Sequence, residues 1–514
     1  MREIELKLEL DEAQEKRLRA APALKARGMG RARSEVLHSV YYDTDDQQLR
    51  ASGIALRVRK AGRHWIQTVK RSNGPMLQGL SMPLEDECKV PGGKIHPERI
   101  TDDDLRERVI GAAREGLVPV VETRFRRTRR NLALPGGGSA ELAIDVGEVI
   151  GGGNTAPLIE AEIELQDGAQ AGLYALASEL IDRGPVRFSS VSKSERALAL
   201  LNGGIHPPPL RKARPVAVDP GDTIEASAIA ILSEGLAHYM PNVALLIESP
   251  DTAGPHQVRV SLRRLRSALT ALRPVFGSGA VAPWNDIART LGAEVGAMRD
   301  LDVLIEEMIR PIAEENPGET GFRPLLTALE NRRNAVRDHV RAHMAGPEVT
   351  RWGLAFAAFL AGRGWLDQHD HSQTSRLAQP TGAFARSVLD KRWKRVAAYG
   401  RQMQTLSIEA RHEMRKELKK LRYMIEAFRG LYDPVALGGF LRQIKDLQTY
   451  FGALNDAAMA EAVLTAPDAP GVGDGAASRA AGRLLGRLEA EAERLWPEAS
   501  TGWDKLAKMR RFWR

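Results

Sequence analysis

From residue 3 to residue 8 polar and apolar side chains alternate. Glu3, Glu5 and Lys7 fall on one side of an extended chain, and Ile4, Leu6 and Leu8 on the other. A period of two is the signature of a β-strand with one buried face. The same grammar returns at Arg57/Arg59, Glu85/Glu87, Arg124/Arg126 and Glu160/Glu162/Glu164. Turn clusters separate these segments: Pro91-Gly92-Gly93, Pro135 to Ser139 and Gly151 to Asn154 read as hairpin connections. Two stretches carry helical character instead, Asp11 to Arg27 and Gly172 to Arg183, the second ending at Gly184.

Past residue 200 the pattern changes. Residues 202–221, NGGIHPPPLRKARPVAVDPG, are rich in Pro and Gly and predict a linker. Beyond them long Leu/Ala/Arg/Glu segments predict helices throughout, with PGVGDGAAS (470–478) as a loop before a last basic helix. The expectation is an α+β chain in three parts: a sheet-rich domain at 1–201, the linker at 202–221 and an all-α domain at 222–514.

The helical half repeats itself. HQVRVSLRRLR begins at His256 and HEMRKELKKLR at His412; GAMRD ends at Asp300 and GALND at Asp456, 44 residues after the histidine in both copies. A duplicated helical unit follows. At ~100° per residue, His256, Arg259, Arg263 and Arg266 form one cationic stripe beside an apolar stripe of Val258, Leu262, Leu265 and Leu269. The second copy places His412, Arg415, Lys419 and Arg422 beside Met414, Leu418, Leu421 and Ile425. Neither histidine has a metal-ligating partner at i+4, so a cationic channel is the better reading.

Charge and composition narrow the chemistry. A net charge of +8 favours acidic partners, while an aromatic content of 5% offers few platforms for stacking bases. Phosphate without bases fits better than nucleic acid. No apolar run approaches the ~18 residues that span a bilayer, and the charged N-terminus lacks a signal-peptide core, which predicts a cytoplasmic protein. The single cysteine, Cys88, forms no intrachain disulfide and no zinc cage. Charges of one sign grouped within strands repel one another unless counter-charge arrives. Carboxylates call for hard divalent cations such as Mg²⁺ or Mn²⁺, and Arg/Lys groups call for phosphate oxygens. A metal–polyphosphate site satisfies both.

EIELK at 3–7 resembles the ExExK signature of CYTH domains, the triphosphate tunnel metalloenzymes. The resemblance continues through YYDTDDQQLRASGIALRVRK (41–60), QTVKR (67–71), LAIDVGEV (142–149), PLIEAEIEL (157–165) and SKSERAL (192–198). It implies an eight-stranded antiparallel tunnel with a polar interior and flanking helices. On matching positions it implies a metal-binding set of Glu3, Glu5, Asp145, Glu162 and Glu164, with Glu160 as a further member. Lys7, Arg57, Arg59, Lys70, Arg124, Arg126 and Lys193 match the cations that hold the triphosphate, with Arg196 close by. Glu5, Lys7, Arg57, Arg59 and Glu162 are the expected catalytic set. The chain departs from the family at Met82 and Pro83, where an arginine often precedes the acidic strand of Glu85 and Glu87.

The second half resembles the CHAD domain, on its HxxR segments and paired basic helices. That implies two pseudo-symmetric four-helix-bundle-like halves around a basic cavity that binds inorganic polyphosphate. The combined expectation is metal-dependent hydrolysis of inorganic triphosphate with polyphosphate binding, and association with polyphosphate granules. Adenylate cyclisation, thiamine triphosphate hydrolysis and a non-catalytic polyphosphate scaffold use the same residue types and remain alternatives.

Overall fold

A computed structural model describes residues 4–71, 80–81, 83–189, 191–201 and 210–514. The chain forms two compact units, residues 1–209 with 344–364, and residues 210–343 with 365–514.

The first unit is built on one antiparallel sheet. Its strands are β1 (Glu5–Glu9), β2 (Gly28–Asp43), β3 (Ile54–Ala61), β4 (His64–Arg71), β5 (Leu80–Ser81), β6 (Leu84–Val90), β7 (Val118–Ala133), β8 (Ser139–Gly151), β9 (Asn154–Asp167) and β10 (Arg187–Phe188). Eight are five residues or longer, as expected; β5 and β10 are two-residue additions. The order is β10-β1-β9-β8-β7-β2-β3-β4-β6, with β5 also paired to β1. Among the described residues β6 has no ladder to β1. The sheet is therefore open between them, with β5, which ends two residues before β6, adding Leu80 opposite Leu6 at the β1 edge.

Helices α1 (Glu12–Ala20), α2 (Asp103–Glu115), α3 (Ala171–Leu180) and α4 (Lys193–Leu201) accompany the sheet. The helix expected over 11–27 is two, because Pro22 opens a second short segment at Pro22–Ala26. Pro91 to Gly93 is not a hairpin; it leads to a 3₁₀ turn at Pro97–Arg99 and then to α2. The clusters at 135–139 and 151–154 do join antiparallel neighbours. Gly136, Gly137 and Gly138 all take positive φ there, a conformation that a Cβ disfavours.

The apolar face of the sheet is covered from outside. Leu105, Val109 and Ala112 of α2 pack on Ile54, Leu56 and Val69. Buried Asp43 folds the segment after β2, accepting from the Leu49 and Arg50 amides at 2.9 and 3.0 Å. The opposite face carries α4, whose Ala197, Leu198 and Leu200 meet Val121, Phe125, Val149 and Leu158.

The second unit is helical. Its main helices are α5 (Ile224–Glu248), α6 (Ala253–Phe276), α7 (Ser278–Val303) and α8 (Phe322–Met344), and later α10 (Thr381–Gly400), α11 (Ile408–Ala427), α12 (Pro434–Leu464) and α13 (Gly475–Lys508). Between these sets runs α9 (Pro347–Ala361), which lies in the first unit and packs on α3. The Gly184 amide donates to the Ala345 carbonyl at 2.8 Å, and the Thr350 hydroxyl donates to the Gly184 carbonyl at 2.7 Å. In the linker segment, residues 202–209 lie outside the described residues; Val216 and Val218 are buried. Among the described residues no helix is long and apolar enough to cross a membrane.

Candidate functional site

Strand register decides which charges meet. Lys7 stands opposite Glu162, Glu9 opposite Glu160, and Glu5 opposite Glu164. Glu160 is opposite Asp145, Asp145 opposite Arg127, and Arg127 opposite Glu35. Farther round, Arg57 pairs with Thr68 and Thr68 with Glu87, while Lys70 pairs with Glu85. Directly opposed residues share a face, so these side chains line one surface of β1, β9, β8, β7, β2, β3, β4 and β6.

At one end of that surface lies an acid cluster. Asp145, Glu160 and Glu162 are buried, and each offers a carboxylate oxygen within 4.8 Å of the others'. Lys193 Nζ sits among them, 2.7 Å from Glu160, 2.8 Å from Glu162 and 3.0 Å from Asp145. Arg127 makes a fork to Asp145 at 2.8 and 2.6 Å and also reaches Glu162 at 2.5 Å. Lys7 bridges Glu5 at 3.0 Å and Glu162 at 3.5 Å. Arg196 joins Glu9 and Glu160 at 2.5 and 3.4 Å.

The protonation states follow from this packing. Burial opposes charge on Glu162, but Lys193, Arg127 and Lys7 outweigh it and hold the carboxyl well below its usual range. Burial likewise opposes the Lys193 ammonium, and Glu160, Glu162 and Asp145 raise its pKa nonetheless. Lys7 is raised against burial by Glu162 and Glu5. Glu164 behaves differently: burial, then Glu141 and Glu5, push its pKa up. It stands apart from the triad, and Glu160 stands within it.

At the other end of the surface the cations gather. Arg59 donates to Glu87 at 2.9 Å, Lys70 meets Glu85 at 2.5 Å, and Arg57 is 3.8 Å from Glu85. Burial and the neighbouring Arg57 lower the Arg59 pKa. The Nε atoms of Arg57 and Arg59 are buried with no hydrogen-bond partner among the described residues.

The sequence-predicted residues divide accordingly. Glu5, Lys7, Arg57, Arg59, Lys70, Asp145, Glu162, Glu164 and Lys193 line the surface, together with Glu85 and Glu87. Glu3 lies outside the described residues, as does Met82. Arg124 and Arg126 do not belong: they stand opposite His38 and Val36 on the other face and are exposed, Arg124 meeting Glu122. The arginine in the site is Arg127, which the alternation of Arg124 and Arg126 excluded. Its signal was parity with Phe125, whose partner across β2 is buried Leu37.

In the second unit α6 and α11 are neighbours. Their predicted apolar stripes are buried, from Leu262 and Leu265 to Leu418 and Leu421. Arg259 pairs with Asp300 of α7 at 2.5 Å; in the other copy Arg415 donates to Asn455 of α12 at 2.6 Å. Arg422 is 3.6 Å from Glu426. Among the described residues no carboxylate pairs with Arg263, Arg266 or Lys419. Burial, then Arg415, Arg263, Arg259 and Arg422, bring the Lys419 pKa down to about 6. Burial, then Arg299 and Arg259, lower the His256 pKa, which favours its neutral form. His412 Nε2 lies 3.5 Å from the Leu454 carbonyl.

Comparison with known proteins gives these two surfaces their class. The CYTH domain family matches residues 1–198, and the CHAD domain family matches residues 230–465. The chain carries a CYTH domain followed by a CHAD domain. Among individual proteins it is similar to an inorganic triphosphatase from Haemophilus influenzae, 29% identical over 169 residues, covering 32% of this chain and 46% of that protein. The matched stretch thus spans about half of that relative's length. The crystal structure of the CHAD domain from the plant Ricinus communis is 25% identical, covers 59% of this chain and 98% of its own, and superposes with a TM-score of 0.51. A Hippeastrum protein whose structure is described as revealing a dominant triphosphatase activity is 22% identical, covers 40% of this chain and 98% of its own, and has a TM-score of 0.29.

Proposed function

We propose that the CYTH unit hydrolyses inorganic triphosphate with the help of a divalent cation, Mg²⁺ or Mn²⁺, and that the CHAD unit binds inorganic polyphosphate. The observation that carries the first part is one sheet face that bears an acid triad on β8 and β9 and a cation group on β3 and β4. The donor set fits a hard cation, since Asp145, Glu160 and Glu162 offer three closely spaced carboxylate oxygens. These three would hold the ion, which supplies Lewis-acid polarisation of phosphoryl oxygens. Arg57, Arg59 and Lys70 would grip the phosphate chain, the two guanidinium groups offering forked donors to its oxygens. Lys7 and Arg127, each in contact with Glu162, would stabilise charge as it develops on the transferred group. Glu5 fixes Lys7 in that place.

For the CHAD unit, the support is a group of basic side chains, Arg263 and Arg266 of α6 with Arg415 and Lys419 of α11, that have no carboxylate ion pair among the described residues; a bound polyanion would restore the Lys419 proton that burial and the arginines remove. A polyanion with regularly spaced charges and no bases satisfies them.

Phosphate release from inorganic triphosphate, ATP and thiamine triphosphate, each with Mg²⁺ or Mn²⁺, tests the proposal. Inorganic triphosphate is expected to turn over fastest, and Glu162→Gln to abolish the release. Cyclic AMP formed from ATP, or full activity in Glu162→Gln, refutes the assignment.

A further inference from the structure

The acid triad already holds a cation, and it is the chain's own. Lys193 Nζ reaches all three carboxylates at 2.7–3.0 Å, the position from which a single ion would contact Asp145, Glu160 and Glu162 together. Lys193 is the first residue of α4, whose start is fixed by the Ser192 hydroxyl accepting from the Glu195 amide at 3.2 Å. The positive end of the helix therefore lies at the residue that carries the ammonium. Arg127 and Lys7 complete the neutralisation from β7 and β1. A divalent ion added to this cluster, with every cation in place, meets like charge at contact distance. One cation has to leave.

Lys193 is the cation that stands where the ion would sit, since it contacts all three carboxylates while Lys7 reaches only Glu162 of the three. Arg127 is a planar guanidinium gripping two carboxylates at once, whereas Lys193 ends in a point charge on a flexible stem. The helix itself need not move, since Ala197, Leu198 and Leu200 seat it on the sheet. The Phe125 ring, 5.5 Å from Nζ, offers the departing ammonium an aromatic face.

Resting on the metal site assigned above, we propose that Lys193 is a resident counter-ion that exchanges with the divalent cation. Without metal its ammonium neutralises Asp145, Glu160 and Glu162; metal entry releases it toward the phosphate chain. Metal and triphosphate then assist each other's binding, because the side chain freed by one is available to the other, and the coupling is equal in both directions.

Two measurements on the full-length chain test this. In the first, Mn²⁺ is titrated into metal-free protein without phosphate, and free Mn²⁺ is read by electron paramagnetic resonance. Lys193→Met is expected to bind Mn²⁺ at least about tenfold more tightly than wild type, from loss of a like charge at contact. Equal or weaker binding by the variant overturns the exchange while leaving the metal site standing. No Mn²⁺ binding by either protein removes the metal site and the exchange with it. The second measurement needs no variant: reductive methylation of wild-type lysines, read by mass spectrometry. Lys193 is expected to be protected without metal and to become reactive when Mn²⁺ is added. Labelling that Mn²⁺ leaves unchanged overturns the proposal even if Lys193→Met fails to fold.

Discussion

Lys419 shows how far neighbours can carry a single residue from its ordinary chemistry. Burial is the first cause, and the four arginines at 415, 263, 259 and 422 add to it, so that the amine loses its proton near pH 6 in the folded protein. In the unfolded chain it keeps the proton to about pH 10.4. Between those values the unfolded state binds one more proton, so stability rises with pH across the window, and the burden Lys419 places on the fold is full below pH 6. Lys419→Met should therefore raise the thermal midpoint at pH 6 and raise it less at pH 9, as scanning calorimetry would show. An equal gain at both values would mean that the amine stays charged throughout. In the first unit the signs are reversed. Lys7 and Lys193 gain carboxylate partners, and their contribution persists through neutral pH.

At the level of the strand, parity is the governing fact, because a shift of one residue sends every side chain to the opposite face. The run Arg124–Phe125–Arg126–Arg127 contains arginines of both parities, and sequence alone offers two stripes. The ladder chooses: Arg127 stands beside Asp145, and Arg124 beside His38. Gly147 reinforces the choice. A Cβ there would lie 2.1 Å from the Arg124 carbonyl oxygen and 2.4 Å from Phe125 Cα, so β7 and β8 approach closely only because none is present. Steady-state kinetics should separate the two stripes. Arg127→Gln is expected to lower kcat/KM on the order of 10²-fold, the loss typical of a preorganised charge-stabilising donor. Arg124→Gln and Arg126→Gln should keep wild-type turnover of inorganic triphosphate. Loss of activity in either outer-face variant, with Arg127→Gln unaffected, would reverse the register argument.

Across the whole molecule, contact within a unit does not follow chain order. α9 comes after α8 of the helical unit, yet it covers α3 of the sheet unit, and Gly184 is tied to Thr350 of α9 and to Ala345 just before it. A chain cut at the linker, residues 1–201, keeps the complete acid cluster and loses this cover, exposing apolar surface of α3. It should release phosphate from inorganic triphosphate and melt roughly 2–8 °C below the sheet unit of the full chain, the shift expected for a loss of about 1–2 kcal/mol in a domain of this size. Differential scanning calorimetry of the two proteins checks it, and an unchanged midpoint would show that α9 contributes nothing to the sheet unit.

The sequence by itself determined the elements and much of the chemistry. The period of two, the Pro/Gly turns and the duplicated basic helices are local patterns, and local sterics and hydrophobic spacing are enough to read them. The apolar stripes of α6 and α11 were legible for the same reason. Tertiary structure decided which charges meet. Cross-strand register brought Arg127 into the site and turned Arg124 and Arg126 away from it. Packing of α4 on the sheet set Lys193 among three carboxylates, and the fold gave α9 to the unit it covers. These outcomes depend on partners dozens to hundreds of residues distant, whose approach no local spacing encodes.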